Sequence, residues 1–176
     1  MRTLFSVILA ALLLILTSSC IPAPEYRVTG TVKDIMDAVV DPNADFLWNS
    51  VATIEDAKGV VEKAPKTDDD WKELRRHAVT LMEAADLLQI PGRSIARPGE
   101  KSENPEVELS PEVIKTLVDS DRASWIKYNH GLHDATALML KAIDAKDVAG
   151  VSEAGDILDR ACEACHKHYW YPEKLK

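Results

Sequence analysis

The sequence predicts an all-α protein, an antiparallel bundle of four helices. Three observations carry that expectation. Apolar residues recur at alternating steps of three and four along several long stretches, the period of an amphipathic helix. Aromatic residues make up only 6% of the chain and Gly only 7 of its 176 residues, whereas a sheet sandwich wants β-branched and aromatic strands with frequent Gly turns. Pro and Gly gather between the periodic stretches, where they punctuate helices rather than interrupt them.

The chain opens with an export signal. Arg2 supplies a minimal positive start, and residues 7–16 form an unbroken apolar run. That run is shorter than the roughly 20 residues a membrane-spanning helix needs. Residues 1–19 are therefore expected to be a signal peptide. Leu16-Thr17-Ser18-Ser19-Cys20 resembles a bacterial lipoprotein cleavage box, in which the Cys is lipidated and becomes the first residue; Thr17 stands where that box usually has Leu. The other reading is an ordinary cleaved signal. Residues 20–30, with Pro22, Pro24 and Gly30, read as a tether, and residues 31–176 as the helical domain. The expected location is the bacterial periplasm, with a membrane anchor through Cys20.

The first helix is expected from about Thr31, with Val32, Ile35, Met36 and Val39 on one stripe. Asp41-Pro42 interrupts it, by a kink or by a fresh start with Pro in the first turn. The pattern resumes through Leu47, Val51 and Ile54, and a loop is expected to Pro65. Thr67 with Asp70 is a capping-box start for the second helix. Trp71, Leu74, Ala78, Leu81, Ala85 and Leu88 follow in steps of three and four, and Pro91-Gly92 ends them. Residues 91–110, rich in Pro and charge, read as a long surface loop. Ser110-Pro111 starts the third helix, with a break or kink at Ser120-Asp121, and Trp125, Tyr128, Leu132, Ala135, Met139 and Ala142 form its stripe. The fourth carries Val148, Val151, Gly155, Leu158, Cys162, Cys165 and Tyr169. Stripes of this kind cannot bury themselves singly, so the helices must pack together.

Three cysteines are too few for a disulfide framework. Two of them lie in Cys162-Glu163-Ala164-Cys165-His166, which is Cys-x-x-Cys-His, the attachment signature of c-type haem. On a helix Cys162 and Cys165 stand one turn apart and His166 shares their face. Two thiols can then add to the haem vinyl groups while the imidazole reaches the iron. Zinc would need two further ligands at suitable spacing. A thioredoxin-like pair would need a βαβ setting, and a disulfide between helical i,i+3 cysteines would be strained. The expected cofactor is one covalent haem c.

A helical bundle with this motif near the end of its last helix resembles cytochrome c prime and its low-spin, methionine-ligated relatives. The resemblance covers most of the chain after the tether and is most specific over residues 142–169, where Lys146-Asp147-Val148 leads into Ala161-Cys162-Glu163-Ala164-Cys165-His166-Lys167-His168-Tyr169. It implies that Cys162 and Cys165 hold the haem and that His166 is the proximal ligand. A residue of the first helix covers the distal face in that family, Met in its low-spin members, and here Met36 sits near the stripe centre. Met82 or His77, or an empty sixth position, are the other readings. Relatives of this fold often form homodimers. Many also carry a basic residue after the Tyr, where this chain has Trp170-Tyr171-Pro172, which weighs against gas binding of the cytochrome c prime type.

The remaining conspicuous residues read more plainly. His130 and His133 project away from their helix's apolar stripe and His168 away from the haem face, so all three are expected at the surface. Arg93 is a candidate partner for a haem propionate, against the plainer reading of a solvated loop Arg. Trp125 and Tyr128 are expected as core or haem-packing residues. Asp68-Asp69-Asp70 reads as an acidic first turn favoured by the helix dipole.

The charge count, 21 basic against 29 acidic residues for a net −8, excludes a nucleic-acid binder, which would present a basic face to phosphates. It suits a basic partner surface. No catalytic triad, phosphate loop or carboxylate pair stands out, so no enzyme is expected, and a small peroxidase is the weakest reading. The sequence favours an electron carrier between periplasmic or membrane redox proteins. The alternative is a five-coordinate haem protein that binds NO or CO.

Overall fold

Residues 26–56 and 59–172 are described by a computed structural model. The expected signal peptide, Cys20 and the first part of the tether lie outside these residues. The described chain is mainly helical.

Helix α1 (Val32–Ile35) begins on a capping box: the Asp34 N–H donates to the Thr31 hydroxyl at 3.0 Å, and the Thr31 N–H donates to the Asp34 carboxylate at 2.9 Å. Residues Met36–Val40 then form a π turn, in which the Asp41 N–H reaches back to the Met36 carbonyl. Pro42 accounts for it. Pro has no N–H for the Ala38 carbonyl and its ring crowds that oxygen, so the ladder widens by one residue. Helix α2 (Asp41–Trp48) follows with Pro42 in its first turn and buries Ala44 and Leu47.

The loop expected before Pro65 is in fact an antiparallel hairpin, β1 (Ala52–Asp56) with β2 (Gly59–Lys63), pairing Thr53 with Glu62 and Asp56 with Gly59. Gly59 adopts φ +129°, which side chains rarely tolerate. The hairpin departs from the all-α expectation, and its strand β2 is exposed along its whole length.

Helix α3 (Asp68–Leu88) has the expected Thr67–Asp70 capping box and buries the whole expected stripe from Trp71 to Leu88. The break expected at Ser120-Asp121 separates α4 (Pro111–Ser120) from α5 (Arg122–Asp144), with the Asp121 carboxylate capping α5 through the Ser124 N–H at 3.0 Å. Helix α6 (Val148–Tyr169) starts on Asp147, which accepts from the Gly150 N–H at 3.0 Å.

Neighbouring helices run in opposite directions. Asp144, the last residue of α5, meets Arg75 (2.9 Å), and Lys146 just beyond it meets Asp68 (2.6 Å), both early in α3. At the far end the Trp125 indole N–H donates to the Leu88 carbonyl at 3.1 Å. Trp125 and Tyr128 at the start of α5 stack edge-on against Tyr169 at the end of α6, with centroids 5.3 and 5.8 Å apart. The Trp48 indole N–H, at the end of α2, donates to the Gly155 carbonyl at 3.1 Å. Leu47, Leu74, Leu81, Leu88, Met139 and Leu158 are essentially removed from water, each worth roughly 1.5–3 kcal/mol relative to exposure.

The segment at 91–110 is no mere surface loop. Ile95 is buried, and the Ser94 and Ile95 carbonyls accept the Val32 and Lys33 N–H groups at 2.8 and 2.9 Å. The loop thereby satisfies donors that the start of α1 leaves open. At its other end the Leu109 N–H donates to the Trp170 carbonyl at 2.7 Å.

Candidate functional site

The last two turns of α6 present Cys162, Cys165 and His166 from one helical face, each half-buried, with both thiols free. Burial pushes each thiol up to about 12, aided at Cys162 by the carboxylates of Asp159 and Asp41. Burial also holds His166 below the usual imidazole range. The three groups are therefore neutral at neutral pH: two thiols and an imidazole with a lone pair to give.

Two cavities meet at these residues. One, about 90 Å³, runs under the 91–110 loop, with Val32, Ile95, Leu109, Ile114, Trp125 and Trp170 among its apolar lining. The other, about 240 Å³, lies between the 32–48 helical run and α5 and α6, against Val40, Ala44, Tyr128, Leu132 and Cys162. Met36, Cys165 and His166 line both. Charge collects at the rims. Lys33, Asp37, Lys101 and Glu103 line the first cavity; Asp41, Asp159 and Glu163 line the second. The Asp41 carboxyl is raised by partial burial and by Asp37 and Asp45 beside it.

Around His166 the chain closes tightly. The Trp170 and Tyr171 N–H groups both donate to its carbonyl, at 2.7 and 3.0 Å. Their rings stand edge-on to the imidazole, with centroids 5.1 and 5.9 Å away. The Tyr171 hydroxyl donates to the Glu163 carboxylate at 2.6 Å, folding the chain end back over the motif.

Of the residues singled out from sequence, Met36, Cys162, Cys165, His166, Trp125 and Tyr128 come together at these cavities. Arg93 does not line either of them: its guanidinium donates to the Leu87 carbonyl at 2.9 Å and to the Gly30 carbonyl at 2.6 Å, tying the tether's end to the end of α3. His77 sits elsewhere on α3, against Asn43, and Met139 is fully buried beside Gly155. Met82 lines neither cavity. His130 and His168 are exposed, and His133 is half-buried beside Asp134. Among the described residues no group of three or more His, Cys, Asp or Glu side chains is placed to hold a metal ion. Sequence reasoning missed Ile95 and Leu109, single apolar residues in a polar loop. It named Trp170 and Tyr171 only as a departure, although an aromatic pair directly after the motif is a usable signal.

The residues fit a flat apolar cofactor attached through two thiols. The walls are largely apolar, both thiols are free and neutral, and among the described residues the Tyr169 hydroxyl is a buried side-chain oxygen left without a partner; its ring lines the first cavity. Such a group costs about 1–3 kcal/mol unless a hydrogen bond is supplied. Cys165 and His166 at the junction would hold the cofactor from α6, and Met36 would face them from the first helical run. Compared with protein-family models, with curated proteins and with solved structures, the chain matches none.

Proposed function

We propose that this chain is a one-haem c-type cytochrome that carries single electrons between redox proteins of the bacterial envelope. One observation carries the reading: Met36, Cys165 and His166 are the side chains common to both cavities, so a thioether from the first helical run and an imidazole from the last helix border one space. In this reading the antiparallel helix pairs compose a four-helix bundle, with the first run, α3, α5 and α6 as its members. Residues 1–19 direct export, and a lipid on Cys20 anchors the domain to the membrane.

The haem, when bound, supplies a one-electron ferric/ferrous couple. Everything else is the work of this chain. Cys162 and Cys165 fix the cofactor covalently, and His166 offers a neutral nitrogen. Met36 would offer a soft, neutral sulfur, which favours ferrous iron and would keep diatomic gases from it. Ile95, Leu109 and Trp170 shield one cavity from water, which raises the potential further. Trp125 and Tyr128 pack the two cavity walls. The gas-binding alternative requires an iron left open on that side; what weighs against it is that Met36 lines both cavities together with His166.

The test is the visible spectrum of the reduced protein. Sharp low-spin bands, unchanged by carbon monoxide, are expected in the wild type. Met36→Ala is expected to give a high-spin spectrum that shifts with carbon monoxide. A wild-type spectrum that is already broad and responsive to carbon monoxide assigns gas binding instead.

A further inference from the structure

Met36 opens the π turn, and a π turn is the least self-supporting of the helical conformations. Its carbonyls cannot all be served along the helix, because Pro42 has no N–H to give. A side chain braces the turn one residue beyond that gap. Asn43 Nδ2 donates to the Val39 carbonyl at 2.6 Å, which orients the amide and leaves Oδ1 for α3. There His77 Nδ1 lies 2.7 Å away. An amide oxygen only accepts, so Nδ1 carries the proton. The His77 ring is in turn held by Phe46, stacked at 3.8 Å and 14°. Both His77 and Asn43 are half-buried, where a hydrogen bond is worth more than at an open surface.

A strut thus runs from α3 through His77 and Asn43 into a carbonyl of the turn that presents Met36. We propose that His77 and Asn43 are positioning residues for Met36, holding the π turn in the form that keeps the thioether in the space it shares with His166. His77 then serves the iron without touching it. The inference rests on the reading of Met36 as the distal ligand and says what keeps it there.

The experiment compares variants of the haem-loaded protein by two signals: the sulfur-to-iron charge-transfer band of the ferric form, and the carbon monoxide-reactive fraction of the ferrous form. Asn43→Ala is expected to weaken the band and to raise that fraction roughly fivefold, the effect of losing one such hydrogen bond. Asn43→Asp still accepts from His77 but cannot donate to Val39, so it is expected to match Asn43→Ala. His77→Phe keeps the stacking and loses the donor, and is expected to weaken the band. His77→Gln keeps a donor and is expected to restore it. Thr67→Ala, which removes the cap of α3 far from Met36, is expected to lower stability and leave both signals alone. If Asn43→Ala and His77→Phe leave the signals unchanged, or Thr67→Ala moves them equally, while Met36→Ala still opens the iron, the positioning role is wrong and the functional reading stands. If Met36→Ala changes nothing, both fall together. Should the Asn43 variants fail to fold, the His77→Phe and His77→Gln pair decides alone.

Discussion

The N–H of Leu109 donates to the carbonyl of Trp170 at 2.7 Å, so the end of the long loop is fastened to the residue that follows the motif helix. The other end of the loop is fastened to α1 through Ser94 and Ile95. Between these two anchors Ile95, Ala96, Lys101, Ser102, Glu103 and Leu109 cover the smaller cavity. Lys33 adds an ion pair to Glu103 at 3.0 Å, and the Asp37 carboxylate, helped by Glu103, holds its ammonium well above the usual lysine range. The pair is partly exposed, so its net contribution is small. The backbone anchors and the buried Ile95 side chain do the fastening.

Ile95→Ala should therefore loosen the loop. Removing most of a side chain only 8% exposed is expected to lower stability by about 2 kcal/mol, at the low end for buried isoleucines because the site can partly collapse. The denaturant midpoint measures the loss. Limited proteolysis should cut faster within residues 91–110, and an unchanged cutting rate would show that the backbone anchors suffice.

Two glycines of α6 should respond in opposite directions to the same change. A methyl at Gly155 would meet Trp48 Cδ1 at 3.5 Å and Met139 Cε at 3.9 Å, ordinary contacts. Gly155→Ala is thus expected to stabilise the protein, by up to about 1 kcal/mol from helix propensity. A methyl at Gly150 would lie 2.6 Å from Asp147 Oδ2 and 3.1 Å from Ala142 Cβ, so the cap must let go. Gly150→Ala is expected to cost about 1 kcal/mol. Thermal denaturation of the two variants tests the contrast.

Acid should weaken the helix starts. The Asp70 carboxylate accepts from the Lys66 and Thr67 N–H groups, which hold it below its ordinary value of 3.8; Asp34 is held low in the same way by Thr31. A depressed folded-state value contributes stability that is present above 3.8 and disappears as pH falls through the folded value. The melting temperature is expected to drop on that side, and Asp70→Asn is expected to flatten the drop while lowering stability slightly at neutral pH. An acid limb identical to wild type would remove Asp70 from the account.

Covalent attachment has its own test. Haem in the wild type is expected to survive acid–acetone extraction and to stain in a denaturing gel, and Cys162→Ala with Cys165→Ala should abolish the stain. Extractable haem in the wild type would refute thioether linkage.

What could be read from sequence depended on whether a residue's role was periodic. The Trp71–Leu88 stripe and the Thr67–Asp70 box were legible because helix burial and capping repeat at fixed offsets, and the structure buries and caps those residues. Asp41-Pro42 announced a disturbance but not its kind, since a kink, a new start and a π turn all answer a missing N–H. The hairpin was illegible. Val60 and Val61 stay exposed, so no alternation of buried and open positions marks β2. Ile95 was equally hidden, because one apolar residue among prolines and charges has no period. The cavity junction was half legible: Cys162, Cys165 and His166 are set by spacing within one helix, but their nearness to Met36 is a matter of how distant elements pack.

The exposed hairpin between α2 and α3 has a consequence for how the chain tolerates change. Antiparallel helices are commonly joined by two to eight residues, yet here the connection also holds two strands whose outer one touches water everywhere. Loop-closure entropy grows only slowly, about 0.6 kcal/mol per doubling of length, so such a detour is cheap to keep and equally cheap to lose. The exposed strand β2 is thus the natural place to open the chain for an inserted reporter domain, with the helices that line the cavities left in their present order.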